Sequence, residues 1–219
     1  MLETMLAGGK PPTPEPNSTL LLLQADKGGV DQAKATRAFS KVPTVTTSSV
    51  AKFNNKMFTC TNTTSYFEML AAERADLVFA ANQDYTIEWW SRNNSIAGSW
   101  WIYFAGNNTQ SYMRNNGSSI LLRDQSAAGL TFNNNFWPLT NWTHVAIVNK
   151  DGVTKLYING STAVTGAGFA SGGWGLATAI ARIGFGEATM FGDIDQIRIS
   201  KVARYNANFS VPTTPFVVD

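Results

Sequence analysis

Four groups of side chains in this sequence have the types and spacing to do chemistry: Glu88, Trp90 and Arg92; the tryptophans Trp137 and Trp174; the aspartates Asp193 and Asp195; and the single histidine, His144. In Tyr85-Thr86-Ile87-Glu88-Trp89-Trp90-Ser91-Arg92 a two-residue period sends Tyr85, Ile87 and Trp89 one way and Thr86, Glu88, Trp90 and Arg92 the other. An indole standing among polar groups can stack on a sugar ring while a carboxylate and a guanidinium reach its hydroxyls. The plainer role for Trp90 is to cover the outer face of a sheet beneath a loop or a tail, the commoner use of a tryptophan. Trp100 and Trp101 read in the same way. Trp137, in Phe136-Trp137-Pro138, and Trp174, in Gly172-Gly173-Trp174-Gly175, fall in loops, where aromatic residues serve glycan binding or docking on another protein.

Asp193 and Asp195 occur in Gly192-Asp193-Ile194-Asp195, and simple alternation puts Asp195 with Ile197 and Ile199 on the core side. A carboxylate there has to be hydrogen-bonded or metal-bound. No dense Asp/Asn loop accompanies the pair, so Asp195 is expected to bind a turn, with a calcium ion on Asp195 and Asp193 as the alternative. No other cofactor is indicated. His144 shares a face with Trp142 and Val148 and is expected to be a neutral, hydrogen-bonded strand residue, since no Gly-x-Ser-x-Gly motif supplies a nucleophile for it. Glycoside hydrolysis needs a general acid and a second carboxylate about 5 to 9 Å apart. Glu88 is followed by Trp89 and Trp90, and Glu187 by Ala188 and Thr189, so neither has that partner in sequence, and no enzymatic activity is expected.

Composition narrows the classes further. In 219 residues, 44% are hydrophobic and only 15% charged, with a net charge of +2 and no block of like charge. A packed core is affordable, and nucleic acid held by phosphate neutralisation is excluded as a partner. One cysteine, Cys60, forbids an internal disulfide, and one cysteine with one histidine forbids a Cys/His zinc site. Cys60 itself reads as a small buried residue. Apolar runs such as Leu20 to Leu23 are far below the roughly 18 to 20 apolar residues that cross a bilayer, so no membrane insertion is expected. The opening Met1-Leu2-Glu3-Thr4-Met5-Leu6-Ala7 carries no basic segment followed by an apolar one, so no export signal is expected at this end.

These side chains have to be positioned by strands. Residues 1–16 form a proline-rich arm, with Leu2, Met5 and Leu6 on one edge of a short helical turn that would need a docking partner. From Thr19 onward, short apolar or alternating runs are separated by Gly, Asn, Ser and Asp clusters, the pattern of many strands and few helices. Strands are expected at Thr19–Gln24, Ala51–Phe53, Tyr66–Met69, Tyr85–Arg92, Trp100–Phe104, Ser111–Arg114, Ser119–Arg123, Leu130–Asn133, Trp142–Asn149, Val153–Ile158, Ile180–Gly184 and Asp193–Ser200, with one helical turn near Ala71–Ala75. Asp151-Gly152 and Asn159-Gly160 are hairpin turns, both pairs favouring positive φ. The runs Asn93-Asn94, Asn107-Asn108, Asn115-Asn116 and Asn133-Asn134-Asn135 are expected between strands. The expectation is an all-β, two-sheet antiparallel sandwich over residues 17–204, preceded by the arm and followed by a tail, residues 205–219, whose prolines keep it out of a ladder and lay it over the sandwich surface.

Asp84-Tyr85-Thr86-Ile87-Glu88-Trp89-Trp90, Asn141-Trp142-Thr143-His144-Val145-Ala146, Lys155-Leu156-Tyr157-Ile158-Asn159-Gly160 and Gly192-Asp193-Ile194-Asp195-Gln196-Ile197-Arg198-Ile199 resemble, in order and spacing, the successive signatures of the laminin-G-like, concanavalin A-like jelly rolls. The resemblance covers about Thr19 to Asn208. The ending Ser200-Lys201-Val202-Ala203-Arg204-Tyr205 through Pro215-Phe216 is similar to the version of this domain in bacteriophage virion proteins. The glucanases of that fold carry Glu-x-Asp-x-Glu or Glu-x-Asp-x-x-Glu on the curved sheet, a triplet missing here.

The resemblance implies a non-enzymatic virion structural protein of a bacteriophage, assembled in the host cytoplasm: a capsid decoration or cement protein, or else a tail or baseplate component. Its partners would be the major capsid or tail protein, as a homo-oligomer or bound to the particle lattice. The alternative is a lectin-like module recognising host surface polysaccharide through Trp90, Glu88, Arg92, Trp137 and Trp174.

Overall fold

A computed structural model of the chain describes residues 16–61, 65–73, 75–80, 82–95, 100–106, 109–115, 119–123, 129–133, 140–167, 181–184 and 191–219. The β-prone runs form β1 (Thr19–Leu23), β2 (Thr44–Thr47), β3 (Lys56–Cys60), β4 (Tyr66–Met69), β5 (Tyr85–Ser95), β6 (Trp100–Gly106) and β7 (Thr109–Asn115). They continue as β8 (Ser119–Arg123), β9 (Gly129–Asn133), β10 (Thr143–Lys150), β11 (Val153–Ile158), β12 (Ser161–Ala167), β13 (Ala181–Gly184) and β14 (Phe191–Ser200). One antiparallel sheet of eight strands runs β12-β11-β10-β5-β14-β3-β2, with β1 continuing the β3 position along the second half of β14; the other, of six strands, runs β4-β13-β6-β7-β8-β9. This is the expected two-sheet jelly roll.

Turn chemistry set the register of the central hairpins. Asp151 and Gly152 adopt φ of 50° and 75°, and Asn159 and Gly160 adopt 50° and 78°, the left-handed pair that matches strand twist. Lys150 then pairs with Val153 and Ile158 with Ser161. One face of the eight-stranded sheet supplies Leu21, Leu23, Phe58, Ile87, Trp89, Val145, Ile147, Leu156, Ile197 and Ile199 to a core closed from the other side by Phe67, Met69, Met113, Leu122 and Ile183. Cys60 belongs to that core, as expected, and burial pushes its thiol pKa up, with Asp193 adding to the effect.

Several expectations are corrected. Ala51–Phe53 is a loop that makes a single bridge, from Phe53 to Lys56, because Asn54 and Asn55 take positive φ and turn the chain into β3. The edge strands β2 and β12 were not expected; their Thr- and Ala-rich runs lack the large side chains that mark a buried strand. The helical turn is two 3-10 turns, Ala71–Glu73 and Ala75–Leu77. Asn93 and Asn94 lie inside β5, not between strands, and Asn93 is fully buried. Residues 1–15, with Leu2, Met5 and Leu6, lie outside the described residues, as do Trp137 and Trp174.

The largest correction concerns β14. Asp193 pairs with Arg92, Asp195 with Trp90, but Arg198 with Glu88, so one extra residue is accommodated between Asp195 and Arg198. Gln196 takes φ 54° there. The bulge flips the phase of alternation. Ile194, Ile197 and Ile199 all face the core, whereas Asp193, Asp195 and Arg198 stand with Trp90, Arg92 and Glu88 on the opposite face. The expectation that Asp195 shares a face with Ile197 and Ile199 is overturned by this single inserted residue.

The segment 201–219 contains no strand and runs as a strap over that opposite, outer face. Lys201 N donates to Ser18 O, Phe209 N to Gly160 O, and Phe216 N to the Gln196 side-chain oxygen. Tyr205 and Phe209 stack with ring centroids 3.6 Å apart and pack on Ala146, Val148 and Tyr157; Phe216 and Val211 pack on Leu22 and Trp90. Gly160 has to be glycine, since a Cβ there would fall on the Phe209 carbonyl and its φ is 78°.

Candidate functional site

Beneath and beside the strap, three cross-strand rows occupy the outer face, running across β10, β5 and β14. Register places Ala146, Glu88 and Arg198 in the first row, His144, Trp90 and Asp195 in the second, and Trp142, Arg92 and Asp193 at the open end. Trp142 immediately precedes β10, and its indole lies beneath the Arg92 guanidinium.

The first row is an ionic cluster closed to water. Glu88 is 0% exposed. Its Oε1 accepts from Arg198 Nε at 2.9 Å, and its Oε2 from Tyr205 Oη at 2.9 Å and His144 Nε2 at 3.1 Å. Burial alone would raise the Glu88 pKa, but the Arg198 charge, the His144 hydrogen bond and the Arg204 charge outweigh it and hold the carboxyl at about 2. An ionised Glu88 is acceptor-only, which fixes His144 with its proton on Nε2. Arg204 continues the cluster: it donates to Ser200 Oγ, Ser18 Oγ, Thr19 Oγ1 and both Asp219 oxygens. Glu88 is thereby a structural anchor for the strap. It has neither the access nor a raised pKa that an acid catalyst needs.

Trp90, in the second row, is 3% exposed, packed against Leu22 and Phe216, with Phe53 edge-on at 6.1 Å and His144 at 5.1 Å. Its ring therefore serves the covering role, not an open stacking platform. Asp195, 1% exposed, accepts from Gln196 N at 2.9 Å and Phe53 N at 3.2 Å and binds the 50–53 loop to the sheet. Burial pushes its pKa up to about 6 against the pull of these amide hydrogen bonds.

The third row is the part left partly open. Arg92 keeps 21% of its side chain exposed and places Nε and Nη2 on Asp193 Oδ2 at 3.0 and 2.6 Å. Its guanidinium lies 5.9 Å from the centre of the half-buried Trp142 ring, whose Nε1 donates to Val50 O at 2.7 Å. Lys52, from the same loop, sets Nζ 3.7 Å from the Trp90 ring centre. Asp193 and Asp195 thus face an arginine and main-chain amides respectively, donors that a calcium ion would have to displace. Among the described residues no group of three or more His, Cys, Asp or Glu side chains converges as a metal site.

Of the residues singled out in the sequence, Glu88, Trp90, Arg92, Asp193 and Asp195 are brought together on one face, but only Arg92 reaches solvent to a useful degree. Trp142 and Lys52 were missed. Trp142 read as a strand-end tryptophan, and Lys52 reaches the site through a loop that sequence reading made a strand.

The profile of the Concanavalin A-like lectin/glucanases superfamily matches residues 61–208. No curated protein matches the chain in sequence. Among solved structures it is similar to domain 4 of AbnA, an extracellular GH43 arabinanase from Geobacillus stearothermophilus, in complex with arabinotriose; 18% of residues are identical, 86% of this chain and 94% of that one are covered, and the TM-score is 0.64. It is also similar to the binding domain of Paraclostridial Mosquitocidal Protein 1, at 15% identity, 87% and 50% coverage and a TM-score of 0.66. The receptor binding domain of botulinum neurotoxin D follows at 18% identity, 85% and 50% coverage and a TM-score of 0.60. The chain spans about half the length of these two toxin domains. At such identities the likeness concerns the fold, and together with the profile match it establishes that the chain belongs to the Concanavalin A-like lectin/glucanases superfamily.

Proposed function

We propose that the chain is a non-enzymatic recognition module that binds polysaccharide. The observation that carries its non-enzymatic part is the state of Glu88, whose carboxylate is sealed under the strap and saturated by Arg198, His144 and Tyr205, in a fold whose glucanases carry a carboxylate triplet on the curved sheet. The similarity to an arabinanase domain solved with arabinotriose and to toxin binding domains supports the same reading. Trp137 and Trp174 remain proposed contacts, on their sequence setting alone. The test is retardation of the full chain in gels cast with bacterial surface polysaccharides, with reducing ends assayed in parallel. Retardation without release of reducing sugar is expected; release of reducing sugar, or free migration through every polysaccharide, overturns the reading.

A second reading sets the module in a bacteriophage particle, as capsid decoration or as a tail or baseplate part. It is favoured by the segment 200–216, which carries the likeness to virion domains and is folded down as the strap, leaving the arm 1–16 as the proposed attachment to a capsid or tail protein. Deleting residues 1–16 should then abolish incorporation while the domain stays folded. Copy number per purified particle, read by quantitative mass spectrometry, separates the versions: hundreds of copies mean decoration, a few to a few tens mean a tail part, and absence from particles contradicts the virion setting altogether.

A further inference from the structure

The outer face contains one cation without an ion pair among the described residues, Lys52, and a second, Arg92, that is paired with Asp193 but keeps one nitrogen unused. Lys52 Nζ sits over the Trp90 ring and 5.4 Å from the Phe53 ring centre, and no carboxylate among the described residues forms an ion pair with it. Burial lowers its pKa, the sign of an ammonium held partly off water without a compensating anion. Arg92 spends Nε and Nη2 on one oxygen of Asp193, and its Nη1 has no acceptor among the described residues. Trp90 and Arg92 are two residues apart on the same face of β5, so their side chains leave the sheet about 7 Å from one another. Lys52 thus lies against Trp90, the neighbour of Arg92 on this face of β5.

Both cations are held in place. The Val50 carbonyl is fixed by Trp142 Nε1, and the Phe53 amide by Asp195 Oδ2, so the loop carrying Lys52 is pinned on each side of it. Asp193 orients the Arg92 guanidinium over Trp142. Of the nearby acids, Asp193 is spent on Arg92, and Asp195, held by the Gln196 and Phe53 amides, forms no ion pair with Lys52, which keeps no direct counter-ion among the described residues. Pre-set cations beside a half-exposed indole are the requirements of a ligand that combines a carboxylate with a flat apolar face. A sugar acid has both: the carboxylate accepts from Arg92 Nη1 and from Lys52, and the C–H groups of the pyranose meet the part of Trp142 that Arg92 leaves exposed.

We propose that the row formed by Lys52, Arg92 and Trp142 binds the uronic-acid or sialic-acid residues of an acidic polysaccharide. This rests on the reading of the chain as a polysaccharide-binding module and names the substrate class of that site. The net charge of +2, without a basic block, is what a local anion site requires, as opposed to a long polyanion track.

The test uses the full chain in affinity electrophoresis and calorimetry against polygalacturonate, alginate, hyaluronan and polysialic acid, each paired with its carboxyl-reduced neutral form, and against poly-L-glutamate. At least one acidic polymer should bind about tenfold more tightly than its reduced form and than poly-L-glutamate. Lys52→Gln should weaken that binding about tenfold, Arg92→Lys should weaken it with folding retained, and Lys34→Gln, at an exposed position away from the row, should leave it unchanged. Thermal melts establish that each variant is folded. Equal affinity for an acidic polymer and its reduced form overturns the acid-sugar site but leaves the polysaccharide reading standing. Equal affinity for poly-L-glutamate reduces it to non-specific anion binding, and a Lys52→Gln protein that binds like the wild type removes the site from this row. Failure to bind any acidic or neutral polymer overturns both readings together.

Discussion

The two faces of the eight-stranded sheet are both buried, but by opposite means. The inner face is a continuous apolar layer in which Ile87, Trp89, Val145 and Ile147 meet the other sheet. The outer face, from the same strands one residue out of phase, carries Glu88, Trp90, Arg92 and His144 and is covered by a strap of chain. An apolar face can be closed by any well-shaped apolar partner. A charged face can be closed only by a partner that answers each charge, which is why the strap brings Tyr205 to Glu88 and why Arg204 is tied to both the strand ends and Asp219. The strap answers the first row completely, whereas Lys52, over Trp90 towards the open end, has no ion pair among the described residues. Structure and recognition thus divide one face between its two ends.

The comparison can be broken most severely at Glu88. Replacing it by Gln leaves Arg198 buried without its counter-charge, and we expect a loss of about 3 to 5 kcal/mol in urea unfolding, whereas Ile87→Val, one residue away on the inner face, should cost only about 0.5 to 1.5 kcal/mol. Near-equal losses would show that the ionic cluster is dispensable. Gly160→Ala attacks the strap without touching a charge. It should cost about 1 to 3 kcal/mol and speed proteolysis after Lys201 and Arg204, since the new methyl displaces the Phe209 carbonyl. Unchanged proteolysis would mean that the strap is held elsewhere.

Acid titration sharpens the contrast within the face. The Glu88 value of about 2 lies below the free value near 4.3, so its contribution is complete above about pH 4.3 and lost as pH falls towards 2. The Asp195 value of about 6 lies above the free value near 3.9, so its contribution is complete below about pH 3.9 and lost as pH rises through 6. Between pH 4 and 7 the wild type should therefore lose about 1 to 3 kcal/mol relative to Asp195→Asn, read from paired denaturation curves. Parallel curves would contradict the burial argument for Asp195. The smallest effect is expected at the open end. Lys52→Gln should cost no more than about 1 kcal/mol, because the contact with the Trp90 ring is lost but no ion pair among the described residues is.

How much of this was readable from residue order depends on the distance each feature spans. The hairpins at Asp151-Gly152 and Asn159-Gly160 are local and were read correctly, because both turns demand positive φ from residues that tolerate it. The faces of β5 and β10 followed from simple alternation. The face of Asp195 did not, because a bulge at Gln196 is invisible to a two-residue period. Nor could order reveal that Arg198 and Tyr205 converge on Glu88 from 110 and 117 residues away, or that Trp142 fixes Val50 across 92. Trp90 was read as either cover or platform, and only the position of Phe216 decides for cover.

The central claim is that the strapped end of the face is structural and the open end meets ligand. Its most direct measurement is a backbone and indole amide NMR titration of the full chain with a short uronic-acid oligosaccharide. The account predicts shift changes concentrated at Lys52, Phe53, Arg92 and the Trp142 indole, with Glu88, His144 and Tyr205 unmoved. Changes centred on the strapped residues, or none at saturating oligosaccharide, would contradict it.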